Sequence, residues 1–118
     1  MDEKCKPTEL DVIVTIVVDG RGEDVLHATR QAGAHGGTII NGRGIGIHET
    51  KKILGIPIEP RKDIVLTVTP SRDTQRLLSV ITEAVNLNAP GNGIGLVIPL
   101  KYVTGMPHML IDDGYPDS

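Results

Sequence analysis

Residues 10–18 read LDVIVTIVV and residues 63–69 read DIVLTVT, two runs of alternating side chains rich in β-branched residues. In the first run Leu10, Val12, Val14, Ile16 and Val18 share one face, and Asp11, Ile13, Thr15 and Val17 share the other. In the second, Ile64, Leu66 and Val68 oppose Asp63, Val65, Thr67 and Thr69. Side chains of a strand alternate between the two faces of its sheet, so one face of each run is core and the other is mixed. Such a pair is expected to form neighbouring central strands of one sheet.

Each run is followed by a helical pattern. After the first comes GEDVLHATRQAGAHG, with Glu23 and Asp24 placed to complement the helix dipole and Val25, Leu26, Thr29 and Ala32 on an inner stripe. After the second, Pro70 breaks the strand and Ser71 offers an N-cap for SRDTQRLLSVITEAVNLN, where Leu77, Val80, Ile81, Ala84 and Val85 recur at helical spacing. Shorter strands are expected over 38–41 and 95–100, the latter with Leu96, Ile98 and Leu100 on one face. The order strand, helix, strand, loop, strand, helix, strand predicts an α+β, ferredoxin-like βαββαβ sandwich carrying both helices on one side of an antiparallel sheet. The opposite face is expected to hold Ile13, Val17, Val65 and Val97, too apolar for water, and to be covered by another copy of the chain.

Composition narrows the class. The chain has 118 residues, one domain's length, with no tryptophan or phenylalanine, so its core must be aliphatic and small, which favours oligomerisation. A net charge of -3 and the lack of an aromatic platform argue against nucleic-acid binding. No apolar run approaches a membrane span and the N-terminal residues do not read as a signal peptide, so a cytoplasmic address without membrane insertion is expected. Cys5 is the single cysteine and reads as a bystander. Residues 1–9 and 107–118 read as tails around a domain spanning 10–106, and residues 42–60 read as a long loop without structure of its own.

Two glycine clusters carry the candidate chemistry. In NGRGIG, 41–46, glycines can turn backbone N–H groups toward an anion and Arg43 adds a charge; a strand end breaking into a loop explains the same residues. In NAPGNGIG, 88–95, Gly91, Asn92 and Gly93 form a second amide-exposing turn, which a helix C-terminus also explains without a ligand. The ferredoxin-like topology can bring the two toward a shared subunit edge. On that reading Gly93→Val is expected to block ligand approach and leave the fold intact. Neither cluster is a Walker A loop; His27, His35, His48 and His108 lack metal-ligand spacing, and no nucleophile has an adjacent base, so neither a metal site nor catalytic residues are expected. In the long loop His48, Lys51, Lys52 and Leu54 combine basic and apolar character suited to a partner, and residues 44–56 are expected to be disordered or variably placed in the free protein, the alternative being a short hairpin whose apolar residues pack on their own subunit.

The segments AGAHGGTIINGRG, ILGIPIEPRKDIVLTVTP and NAPGNGIGLVIPLKYVTGM resemble a divergent branch of the PII-type nitrogen-regulatory signalling proteins, over residues 10–106. The resemblance implies a homotrimer whose sheets line the centre, with an adenine nucleotide (AMP, ADP or ATP) bound as effector between subunits. It assigns Gly42, Arg43, Gly44, Gly91, Asn92 and Gly93 to the nucleotide, with Thr67 near the purine. It assigns the loop over 42–60, through His48, Lys51, Lys52 and Leu54, to a regulated partner, a membrane transporter or an enzyme. The chain departs from that pattern. Ala89 and Ile94 stand where the family carries phosphate-contacting lysines, and Gly105 and Pro107 where it carries arginines, each a lost charge-assisted contact to a triphosphate. The loop also lacks the tyrosine that some relatives uridylylate, and no clear counterpart exists for the glutamine that helps hold magnesium and 2-oxoglutarate. Two rivals are a CutA-like trimer with a structural or metal-linked role and a small enzyme acting at the same cleft.

Overall fold

A computed structural model of the chain describes residues 6–46 and 51–105. Its main sheet has four strands, β1 (Lys6–Val18), β2 (Thr38–Arg43), β5 (Arg61–Pro70) and β6 (Gly93–Val103), in the order β2-β5-β1-β6 with every neighbour antiparallel. Helices α1 (Gly22–Gln31) and α2 (Thr74–Val85) pack on one side, which is the ferredoxin-like sandwich expected from the sequence. The strands run longer than the alternation marks. β1 starts at Lys6 rather than Leu10, because its first residues pair with the end of β6 across an irregularity between Pro7 and Leu10, so part of the expected N-terminal tail is strand. The expected tail over 107–118 lies outside the described residues.

The faces of the sheet are the reverse of the expectation. Ile13, Val17 and Val65 do not await a second copy: they are buried against Val25 of α1 and Leu77, Ile81 and Val85 of α2. Thr15, Thr67 and Thr69 lie on this same inner face and are equally buried, the hydroxyls of Thr15 and Thr67 without a hydrogen-bond partner. Val97, which pairs with Ile13, is on the edge strand and is only partly covered. The uncovered face carries the other set. Register places Ile40, Ile64, Ile16 and Ile94 in one row across all four strands, and Thr38, Leu66, Val14 and Leu96 in the next. Ile40, Ile94, Leu96 and Ile98 are each 42–50% exposed there, an apolar surface larger than scattered side chains would make.

Two aspartates seat the helices. Asp63, 5% exposed on β5, accepts hydrogen bonds at Oδ2 from the backbone nitrogens of Gly20 (3.0 Å) and Gly22 (2.9 Å), holding the start of α1. Asp11 on β1 accepts from Thr74 Oγ1 at 2.7 Å, holding the start of α2. The expected N-cap at Ser71 is displaced: residues Ser71–Asp73 form a 3-10 turn with no side-chain cap, and the helix begins at Thr74 under the hold of Asp11. Asn86 ends α2 in the left-handed conformation.

The long loop has structure of its own. Lys51–Ile53 (β3) and Ile56–Ile58 (β4) pair as an antiparallel hairpin, turned by Leu54 (φ 53) and Gly55 (φ 79). Two successive residues at positive φ are what a tight two-residue hairpin turn demands, and glycine meets that demand without strain. Leucine does not.

Candidate functional site

β2 ends at Arg43, and the chain leaves the sheet through Gly44, Ile45 and Gly46. At the same end of the sheet β6 begins at Gly93, just after the turn that carries Gly91. Between these two departures lies a cleft of about 610 Å³. Its walls are Arg43, Gly44, Ile45 and Gly46 from β2 and the residues after it, Lys62 and Ile64 from β5, Ile16 from β1, and Gly91, Gly93 and Ile94 from the turn and β6. Antiparallel pairing alone accounts for the meeting. Strands β2 and β6 stand at opposite edges, and their ends are joined across the sheet by Ile64 and Ile16.

The cleft is chemically graded. At the β2 side stand Arg43 and Lys62; the floor is the isoleucine row of the uncovered face; the β6 side is glycine turn and Ile94. No acid appears among the described lining residues. Arg43 forms no side-chain hydrogen bond or ion pair among the described residues, so its guanidinium, with five donors and a permanent charge, is available to an anion. A volume of this size with an apolar floor and cationic residues at one end has the usual features of a small-ligand site, with register setting Arg43 opposite Arg61 and Lys62 opposite Gly42.

A second, smaller hollow adjoins it, lined by Asp19, Asn41, Gly42, Arg43 and Arg61. Gly44 N donates to Pro60 O at 3.1 Å, so Arg43 and Arg61, one step away, form a non-hydrogen-bonded pair, the close type in an antiparallel ladder. Two like charges directly opposite repel. Asp19 is the acid in their company.

The residues singled out in the sequence divide. Arg43, Gly44, Gly91 and Gly93 come together in the main cleft. Gly42 stands back from it: a side chain there would meet Ile64 Cδ1 at 3.1 Å, and the residue lines the polar hollow instead. Asn92 is occupied elsewhere, its Nδ2 donating to the carbonyls of Asn86 (2.9 Å) and Val85 (3.4 Å) and so closing the end of α2. Thr67 lies fully buried on the helix side of the sheet and is not among the residues of the cleft. Gly93 has φ +142, and a Cβ there would fall within van der Waals overlap of the carbonyl oxygen of Ile16. The expectation that Gly93→Val spares the fold is therefore corrected: the residue is fixed by β1 packing before any ligand enters. Gly44 is the opposite case, since a Cβ added there would meet nothing within 4 Å.

Sequence reasoning missed Ile16, Lys62 and Ile64, and met Ile94 only as a departure from the family's pattern. Their signal was present as alternation, since Ile64 and Ile16 face each other on the uncovered side. Of the partner-loop residues, Leu54 sits at the hairpin turn and is 96% exposed, while Lys51 and Lys52 belong to β3 and His48 lies outside the described residues. Among the described residues no group of histidine, cysteine or acidic side chains is arranged to hold a metal ion, and no helix is long and apolar enough to cross a membrane.

No family model matches the chain, and no curated protein matches it. Solved structures do. The PII protein of Arabidopsis thaliana, in a crystal structure bound to citrate, superposes with a TM-score of 0.63 over 80% of this chain and 79% of its own, at 20% sequence identity. The fold is that of PII proteins, as the resemblance of the three sequence segments implied.

Proposed function

We propose that the chain is a PII-like signalling protein that binds a small anionic effector, an adenine nucleotide, in the graded cleft and regulates a partner protein through the β3–β4 hairpin. The single observation that carries this reading is the meeting of both glycine segments around Arg43 and Lys62 on an isoleucine floor. The citrate bound by the Arabidopsis protein supports an anionic ligand for this fold. The uncovered sheet face supports a homotrimer, because three copies would bury the isoleucine rows that water now meets and would wall the cleft from outside. A cytoplasmic signalling role without catalysis, and a transporter or enzyme as the regulated partner, complete the proposal by analogy of fold.

Calorimetric titration of the purified chain with AMP, ADP and ATP tests it. Saturable binding that Arg43→Ala weakens at least tenfold is expected, in line with the loss of one charge-assisted contact. Absence of binding by all three nucleotides overturns the reading. Turnover of any of them at a rate that Arg43→Ala abolishes would replace it with the enzyme alternative.

A further inference from the structure

The β2–β5 ladder is weakly closed where the chain leaves it for the hairpin. Its last pair is Arg43 with Arg61. Just beyond, Gly44 N donates to Pro60 O at 3.1 Å, and proline has no N–H to return the second bond that two residues so placed would otherwise exchange. One backbone bond therefore closes the exit. Gly44 brings no side chain to support it, and a Cβ built there would meet nothing within 4 Å. The pair behind that bond works against it. Arg43 and Arg61 stand directly opposite on the helix side of the sheet, the face of Asp63 and Val65, and both line the polar hollow. Neither guanidinium makes a hydrogen bond or ion pair among the described residues, with Asp19 of the same hollow or with any other. Asp63, next along that face, is committed to the backbone N–H groups of Gly20 and Gly22.

Independently of any ligand, we infer that this rung is a charge-sprung hinge: repulsion between Arg43 and Arg61 opens the Gly44–Pro60 bond in the folded protein, salt closes it, and the hairpin turns about this point. Like charges directly opposite in an antiparallel pair shift such an opening equilibrium by up to about fivefold. Both side chains are exposed, so dissolved ions reach them. The Debye length falls from about 30 Å at about 0.01 M salt to about 3 Å at about 1 M, which spans the separation of two side chains on adjacent strands. The opening is local. It breaks one bond at the end of the ladder and leaves the hold of Asp63 on α1, and the core beneath the helices, as they are.

The experiment is amide hydrogen exchange of Gly44 in the full chain, followed by NMR across that range of sodium chloride. The amides of Ile13 and Thr67, paired at the centre of the sheet, report global opening and serve as the internal standard. Relative to them, protection of Gly44 in the native chain should rise about two- to fivefold from the lowest salt to the highest. Arg61→Gln and Arg43→Gln, at exposed positions that accommodate the change, should each give the high-salt protection already at low salt and lose the salt dependence. Arg61→Lys keeps the charge and should keep the dependence. Protection of Gly44 that does not rise with salt overturns the inference. So does a rise that survives Arg61→Gln, or one that Arg61→Lys abolishes, because packing and not charge would then set the bond. Sodium sulfate should act as sodium chloride does at equal ionic strength; sulfate closing the bond at far lower ionic strength would make the hollow a seat for an anion and overturn the hinge reading.

Discussion

Arg21 and Arg76 each close the other's helix. Arg21, at the N-cap of α1, donates from Nη2 to the Ala84 carbonyl near the end of α2 at 3.2 Å, and Arg76, in the first turn of α2, donates from Nη1 to the Ala32 carbonyl at the end of α1 at 2.6 Å. A helix leaves its last carbonyls without partners, and a cation there also meets the negative end of the dipole. Each arginine is steadied by an aspartate three residues away, Arg21 by Asp24 and Arg76 by Asp73. The two helices thus run antiparallel and hold one another at both ends.

Arg21→Ala and Arg76→Ala are each expected to cost about 1 kcal/mol, the lower range for a hydrogen bond from a charged donor because both guanidiniums are solvent-screened. The bonds lie at opposite ends of the pair, so the double variant should lose nearly the sum. Urea unfolding of the three variants measures this, and a double variant no weaker than either single would show that the caps act as one unit.

Replacing Asp63 has a larger effect. Its Oδ2 serves two backbone N–H groups, and Asp63→Ala leaves both without their acceptor, one of them buried. A loss of about 2–4 kcal/mol is expected, with Asp63→Asn intermediate because the amide oxygen still accepts. Thermal unfolding followed by circular dichroism reads the order of the three proteins.

Gly93 and Gly44 separate fold from function. Gly93→Ala forces a Cβ onto the Ile16 carbonyl and should lower the melting temperature sharply. Gly44→Val enters open space at the cleft wall, so it should leave the melting temperature within a few degrees and still weaken nucleotide binding. If Gly44→Val binds AMP as the native chain does, the ligand does not touch this wall.

Leu54 holds a conformation that asparagine or glycine would hold with less strain, and it does so almost fully exposed. Leu54→Asn should therefore raise hairpin stability by about 0.5–1 kcal/mol, the order of the left-handed penalty it relieves. On the proposed function the same change should weaken capture of the regulated partner. Hydrogen exchange across β3 and β4 gives the first measure and a pull-down from the source lysate the second.

Leu96→Glu places a charge on the uncovered sheet face without touching the helix-side core. If the face is buried between copies, sedimentation should show a trimer for the native chain and a folded monomer for the variant. A native chain that sediments as a folded monomer would remove the trimer from the proposal.

The elements were legible in the sequence because alternation and helical spacing are local. The facing of the sheet was not. Ile13 and Val17 on one side of β1 and Val12, Val14 and Ile16 on the other are equally apolar, and hydrophobicity cannot choose between them. The side carrying Thr15 and Thr67, which reads as the wetter one, is the side the helices cover. The site divides in the same way. Its glycines stand out along the chain, whereas its floor is assembled from Ile16, Ile64 and Ile94, ordinary strand residues until pairing aligns them. The hairpin was the second reading of the loop and not the first because leucine is a poor turn former, and Lys51–Ile53 and Ile56–Ile58 are too short for periodicity to register.

The stretch that walls the cleft, Arg43 through Gly46, is also the stretch from which the chain sets out toward the hairpin. On the proposed function one covalent segment would serve two occupants, and the laws of linkage would apply to it. If a bound ligand makes the hairpin about tenfold better at seizing its target, the target must make the cleft about tenfold better at keeping its ligand. Sender and receiver are interchangeable in such a device: a change in the target's abundance is written into ligand occupancy as surely as ligand concentration is written into the target's state.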